Sequence, residues 1–268
     1  RILMVPELIS HETERRLCAA AGDTASRYAE VLSFTRLARR VADSMGSAAE
    51  ECLDNGGRVV AMAAAAKNLS SRLKAYAAVE TKPEFLTGLI DAVDEFKRCC
   101  ISSADLSRAA GETEGSLAQK LEELSLLMES YDALCSRGKR DPRDQMTWLL
   151  EQMEQGDFAR EHVFYIDGFP DFTRQHLAIL EHLIQASPDV TVSLNCDREG
   201  SRLLAFEKAG DTASQLLLCA RRAGVDVQIE IIPEKRLPLS PVRERLFQGV
   251  ISPVSYTHLR AHETPEHL

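Results

Sequence analysis

The sequence is short of several things that would settle its class early. No run approaches 18 apolar residues, so no segment is long enough to span a bilayer as a helix. No charged-then-apolar leader with a small-residue cleavage site is visible. The seven cysteines (18, 52, 99, 100, 135, 196 and 219) are scattered and contain no CxxC spacing. An odd, dispersed set points to reduced thiols and a cytoplasmic setting, not to a disulfide framework or a zinc site. Cys99 and Cys100 are adjacent, and neighbours on a helix point apart, which argues against shared metal ligation. An excess of positive charge is also missing. The net charge of -9 gives no basic footprint of the kind a dedicated nucleic-acid binder carries. No repeat or low-complexity segment interrupts the 268 residues, and the apolar content of 44% is that of an ordinary globular chain.

Both ends are unusual. The chain opens on Arg1 and runs directly into the apolar residues "ILMVPE", as if entered in the middle of a sheet. The expectation is that natural sequence is missing upstream. At the other end, "VSYTHLRAHET" (254–264) resembles the conceptual translation of a transposon-based sequencing adapter. His258 and His262 would share a helical face and could pass for metal ligands, but the adapter reading sets 254–268 aside as an artefact. Removing the tail's one arginine and two glutamates moves the net charge only from -9 to -8.

What is present reads as α/β. Residues 2–6 form a strand, and "SHETERRLCAAAG" follows as a helix, with Ser10 as its cap and Gly22 as its stop. "AEVLSFTRLARRVADSM" passes from a strand with Leu32 and Phe34 on one side into a helix striped by Leu37, Ala38 and Val41. Strand, helix, strand, helix in so short a span indicates a parallel sheet. From 45 to 158 only helices are expected. One is capped by Thr81 and Glu84 with Pro83 in its first turn, and presents Phe85, Leu86, Leu89, Ile90, Val93 and Phe96. A long one carries Leu117, Leu121, Leu124, Met128, Tyr131 and Leu134. A third has Asp141 as cap and Pro142 at its first position. The chain then returns to α/β, with strands at 163–166, 189–197 and "VDVQIEII", and helices at 173–185 and 212–224. The expected organisation is an α/β sheet in two parts, 1–44 and 159–253, interrupted by an all-helical insertion at 45–158.

The segment "VFYIDGFPDFTRQHLAIL" (163–180) carries the chemistry. An aspartate at the carboxyl end of a buried parallel strand is where a P-loop motor orients water around Mg²⁺, and the next carboxylate activates the attacking water. Here the next residue is Gly168, which has no side chain for that task. On the residues alone, Asp167-Gly168 reads equally as a tight turn. Asp171 lies four residues on and Gln175 four further, before an apolar helix.

That spacing resembles motif II of superfamily 1 helicases, with Asp-Gly in place of Asp-Glu and Pro170-Asp171 in place of Gln-Asp. "VTVSLNCD" falls where the next helicase strand would be, without that strand's glycine, aspartate and glutamine. "VPE", "EVLSFTRLARRV" and "YIDGFPDFTRQHLAILE" together resemble the AddB family, the smaller-motor-like component of the bacterial helicase–nuclease AddAB, including the Asp-Gly substitution. The likeness covers 1 to about 235 and is weakest through the helices.

The resemblance implies a P-loop helicase-like sheet (domain 1A type) with a helical insertion (domain 1B type). It implies a region that guides or reads single-stranded DNA without driving unwinding, in a complex that resects double-strand breaks for recombination. The implied partners are an AddA-type helicase/nuclease subunit and single- and double-stranded DNA, with no membrane. The implied cofactors of the intact protein are an iron–sulfur cluster, Mg²⁺ and ATP; none is expected within this stretch, nor any catalytic residue. The DNA-contact candidates are Glu7, His11, Ser33, Phe34, Thr35 and Arg36, and the degenerate motif II comprises Asp167, Gly168, Asp171 and Gln175. Ser33 and Thr35 are short donors suited to phosphate oxygens. Phe34 either stacks a base or packs in the core, and the arginines at 36, 39 and 40 either line a channel or face solvent. Three readings stand: a catalytically silent DNA-tracking subunit, a working motor with an unusual motif II, and a helical scaffold with no DNA affinity.

Overall fold

A computed structural model describes residues 1–22, 24–46, 52–77, 82–137, 139–196 and 206–232. Four short strands, β1 (Ile2–Met4), β2 (Glu30–Leu32), β3 (Phe164–Ile166) and β4 (Val190–Val192), form one sheet in the order β2-β1-β3-β4. Every pairing is parallel, and the register aligns Leu32, Met4, Ile166 and Val192 in one row. A parallel neighbour needs a crossover. Helix α1 (Ser10–Ala21) supplies it between β1 and β2, and α9 (Arg174–Ala186) between β3 and β4.

Between β2 and β3 the described elements are helical: α2 (Phe34–Ser44), α3 (Asn55–Asn68), α4 (Pro83–Arg98), α5 (Ser103–Gly111), α6 (Gly115–Cys135), α7 (Gln145–Gln155) and α8 (Phe158–Glu161). α10 (Glu207–Ala223) follows β4 and packs on α9. The α/β expectation therefore stands, with a sheet that is parallel throughout.

The helices between β2 and β3 divide between two cores. Ile2, Met4, Phe164 and Ile166 from one face of the sheet pack with Leu37 and Val41 of α2, Leu149 and Met153 of α7, and Ile179, Leu180 and Leu183 of α9. α7 thus packs with the sheet, although it lies within the span 45–158 expected as one helical block. The second core lies among α3 to α6, around Met62, Ala65, Ala66, Leu89, Val93, Leu127 and Tyr131. The small alanines of α3 let it lie close to α6.

Local signals place the helix starts. The Ser33 side chain accepts from the Arg36 amide at 3.2 Å, and Thr173 does the same for His176 at 3.2 Å, so each hydroxyl satisfies an orphan donor of the first turn. Asp141 caps the turn Pro142–Asp144 by accepting from the Arg143 amide at 2.9 Å. α4 ends in a Schellman motif: Ile101 N–H reaches Phe96 O at 2.8 Å and Cys100 N–H reaches Lys97 O at 3.0 Å. The left-handed position of that motif is held by Cys100 at φ 55°, where glycine is the usual residue.

Several expectations are corrected. Ser10 is not a cap; it is buried in the first turn of α1, and its hydroxyl donates to the Glu7 carbonyl at 2.9 Å because a tight turn at Glu7–Ile9 leads into the helix. Lys82 occupies the cap position of α4, and Thr81 lies outside the described residues. Phe34 starts α2 and does not extend β2. α6 buries Leu127, Met128, Tyr131 and Cys135, while Leu117 near its start is exposed. β4 covers only Val190–Val192 of the expected 189–197, and α10 begins five residues early, at Glu207. "VDVQIEII" forms no strand: Val225, Val227, Ile229 and Ile231 are 41 to 70% exposed. Alternation suits a residue to a pleated surface, but a strand also needs a neighbour to pair with, and 225–232 has none among the described residues. The adapter-like tail 254–268 lies outside the described residues.

Candidate functional site

In open parallel sheets ligands gather at the carboxyl ends of the strands, because the backbone and the following loops converge there. One residue beyond the aligned strand ends come Ser33, Val5, Asp167 and Ser193, fixed by ladder bonds from Val5 N to Leu32 O (3.0 Å), Asp167 N to Met4 O (2.9 Å) and Ser193 N to Ile166 O (2.9 Å). Glu7 follows Val5 by two residues and returns to this rim. Ser33 Oγ donates to Glu7 Oε2, and Ser193 Oγ donates to Asp167 Oδ1. The rim therefore carries two serine–carboxylate pairs, one on either side of the sheet's middle.

Gly168 turns the chain away from β3 with φ +78°, in the left-handed region. A Cβ at this position would lie 3.1 Å from Ile9 Cδ1 and 3.5 Å from Pro6 Cδ. A side chain here would be strained by the left-handed backbone, and its Cβ would require the flexible end of Ile9 to shift by a few tenths of an ångström. A carboxylate next to Asp167 is disfavoured here, chiefly by the left-handed backbone.

The remaining expected residues separate. Glu7, His11, Asp167, Gly168 and Asp171 are exposed, while Thr35 and Arg36 are half-buried. Arg36 faces Glu14 at 3.8 Å, and His11 stands 4.0 Å from the same carboxylate. Asp171 pairs with Lys208 of α10 at 2.5 Å, an exposed pair of small energetic weight. Ser33 is 3% exposed, and its hydroxyl both donates to Glu7 and accepts from the Arg36 amide.

Phe34 is 5% exposed, and its ring stacks on His176 with centroids 4.1 Å apart and planes 10° from parallel. Phe169 meets it edge-on at 5.5 Å. Core packing is the role the structure gives Phe34, and no ring face is left for a base. Burial depresses the His176 pKa, Asp171 opposing, so the stacked ring favours its neutral form.

Gln175 is not at the rim. It is 7% exposed, and its side-chain amide donates to Arg143 O at 3.1 Å and to Thr147 Oγ1 at 3.4 Å. Sequence reading missed Ile9 and Ser193. Ser193 could have been found as the residue one step beyond a strand aligned with β3; Ile9 carries no such signal.

The donor set does not suit the metal groups implied for the intact protein. Among the described residues no three His, Cys, Asp or Glu side chains gather to hold a metal ion. Each rim carboxylate accepts a serine hydroxyl. The described cysteines lie on separate elements, apart from the adjacent Cys99 and Cys100, and do not form an iron–sulfur ligand set. Among the described residues, no helix is long and apolar enough to cross a membrane.

The fold and rim define an α/β protein whose parallel sheet presents a polar carboxyl edge closed by the β1 turn. Residues 1–242 match the family described as "ADDB, N-terminal", and the chain belongs to that family. Its relatives include the B subunits of several bacterial ATP-dependent helicase/deoxyribonucleases. It is 31% identical over 198 residues to the one from Thermoanaerobacter sp. (strain X514), covering 73% of this chain and 17% of that protein. The counterpart of the same name in Moorella thermoacetica is 30% identical over 241 residues, 86% of this chain and 21% of that protein. The one in Clostridium acetobutylicum is 26% identical over 230 residues, 85% and 20% respectively. The chain thus spans about a fifth of the length of the curated relatives it matches.

Proposed function

We propose that this chain is the helicase-like N-terminal region of an AddB-type subunit, catalytically silent at its own sheet edge, that guides or reads single-stranded DNA for a partner's motor. The reading extends to the processing of double-strand breaks for recombination, with an AddA-type subunit as partner and the cytoplasm as the setting. The iron–sulfur cluster, Mg²⁺ and ATP would be held by parts of the assembly beyond these residues. The likeness to motif II and the relatives' names support the class.

One observation carries the silent character: the position after Asp167 is a left-handed glycine with Ile9 at 3.1 Å from a would-be Cβ, and Asp167 itself is engaged by Ser193. A hydrolytic carboxylate is absent, and the left-handed turn disfavours a side chain in its place. A working motor would need this turn rebuilt, so that reading is the weaker one.

The DNA contact falls to Glu7, His11, Thr35 and Arg36, which share the rim with the exposed Leu8. Arg36 can reach a phosphate by exchanging Glu14 for it. Fluorescence anisotropy with a single-stranded oligonucleotide tests the reading. Binding should weaken about tenfold between 50 and 200 mM salt, as for a few phosphate contacts. Arg36→Ala should weaken it further and flatten the salt slope by about one. No binding at low salt would favour the scaffold reading instead.

A further inference from the structure

The short turn Pro142–Asp144 stands where the two cores meet, and it is bonded from both sides. On the sheet side, the Arg143 carbonyl accepts from Gln175 of α9 at 3.1 Å. On the bundle side, the Arg143 guanidinium donates to Asp94 of α4 at 2.8 Å, and Asp144 pairs with Lys97 of α4 at 2.7 Å. The preceding Asp141 is fully buried, caps the turn, and lies 3.2 Å from Lys97 and 3.4 Å from Arg58 of α3. Arg58 in turn pairs with Asp94 and donates to Tyr131 of α6 at 3.2 Å. The two chain passages between the cores run side by side here: Leu53 N–H donates to Arg140 O at 2.8 Å across an isolated parallel bridge between Cys52 and Arg140.

We propose that this turn, with Gln175, is a clasp that makes the helical bundle and the sheet open as one unit. The reasons are chemical. A glutamine amide buried in an apolar helix face needs partners, and those it has are a backbone carbonyl and a hydroxyl of the connecting segment. Separating the cores would break the Gln175 bond to the Arg143 carbonyl or take Arg143 away from Asp94, which would keep Arg58. The helix that follows the rim strand β3, which also approaches α4 directly, is thereby bonded to Arg143, whose carbonyl meets one core and whose guanidinium meets the other. The inference is independent of any DNA contact.

Hydrogen exchange by mass spectrometry on the full 268-residue chain tests it. In the wild type, the most protected amides of α4 and α6 should share a common opening with those of β1, β3 and α9, with protection agreeing within about threefold. In the Gln175→Ala/Arg143→Ala variant the two sets should separate by about tenfold or more. Should that variant not fold, Gln175→Glu carries the same readout, since it keeps the volume but turns an acceptor toward the Arg143 carbonyl. Equal loss of protection in both cores would overturn the clasp, because a merely stabilising residue lowers both alike. Wild-type cores that already open separately would overturn it too.

Discussion

The sheet and the bundle handle their polar groups in opposite ways. The core beneath the sheet is apolar, built from residues such as Met4, Leu37, Phe164 and Leu180; its carboxylates Glu7 and Asp167 stand at the rim, and His176 stacks on Phe34. The bundle instead buries charge: Arg58, Asp94, Lys97, Glu123 and Asp141 are each 7% exposed or less. Burial alone works against the Arg58 charge, but the Asp94 carboxylate, the Tyr131 hydroxyl and Asp141 outweigh it and raise its pKa. Burial likewise opposes the charge of Lys97, and Asp144, Asp132 and Asp141 reverse the balance. Glu123 accepts from the amides of Lys74, Ala75 and Tyr76, each at 3.0 Å, and so fastens the loop after α3. Charges so consumed are unavailable to a ligand. A candidate site belongs at the rim, and the bundle's network belongs to architecture.

Breaking this contrast on the bundle side has the largest expected effect. Asp141→Ala leaves Arg58 and Lys97 short of a buried counter-charge and removes the cap of the turn at Pro142. It should cost about 3–5 kcal/mol in urea unfolding. In the sheet core, Leu180→Ala removes a fully buried side chain, and a loss of about 2–5 kcal/mol is expected in the same measurement. The two variants should differ in salt and pH response, because only the first acts through charge.

Acid separates the regions further. The Asp94 carboxyl is desolvated, yet Arg58 and Arg143 hold it below the ordinary 3.8, and Glu123 is lowered against burial by its backbone donors. A depressed carboxylate pKa stabilises the fold above its unfolded value, and that contribution is lost as pH falls through the folded value. The bundle's far-ultraviolet signal should therefore fail as pH drops below about 4. Asp144, raised by burial in spite of Lys97, works in the opposite sense and softens the transition.

The sheet core has a smaller, milder dependence. His176 is lowered from 6.5, so its contribution is full above that pH and declines below it. His176→Phe should keep the stack on Phe34 and remove this slope from a stability–pH curve. The smallest effect expected is a gain: Cys100→Gly relieves the left-handed non-glycine position at the end of α4 and should add about 1 kcal/mol.

Much of the sheet region was legible because its signals are local. The apolar runs before Ser33 and Asp167 announce strands with a helix after each, although the caps Ser33 and Thr173 were not read as such and Phe34 was placed on the strand. Gly22, Asp141 and Pro142 act within a turn of where they stand. The unread part depends on partners far along the chain. Arg58 meets Asp94 36 residues on and Asp141 83 residues on, and no period links them. Gln175 was read with the motif around Asp167, yet its bond is to Arg143, 32 residues earlier. Val225 to Ile232 shows the alternation of a strand, but pairing is a property of two segments. At the rim, Asp167 and Gly168 were legible as a strand end, while the closing side chain, Ile9, comes from the β1 turn.

The most direct measurement is ATP turnover by the proposed helicase–nuclease assembly carrying Asp167→Asn in this region. If the rim is silent, the rate stays within about twofold of wild type, since the carboxylate serves Ser193 and no nucleotide. A fall of tenfold or more, with assembly intact, would mean that this edge hydrolyses ATP and that the silent reading is wrong.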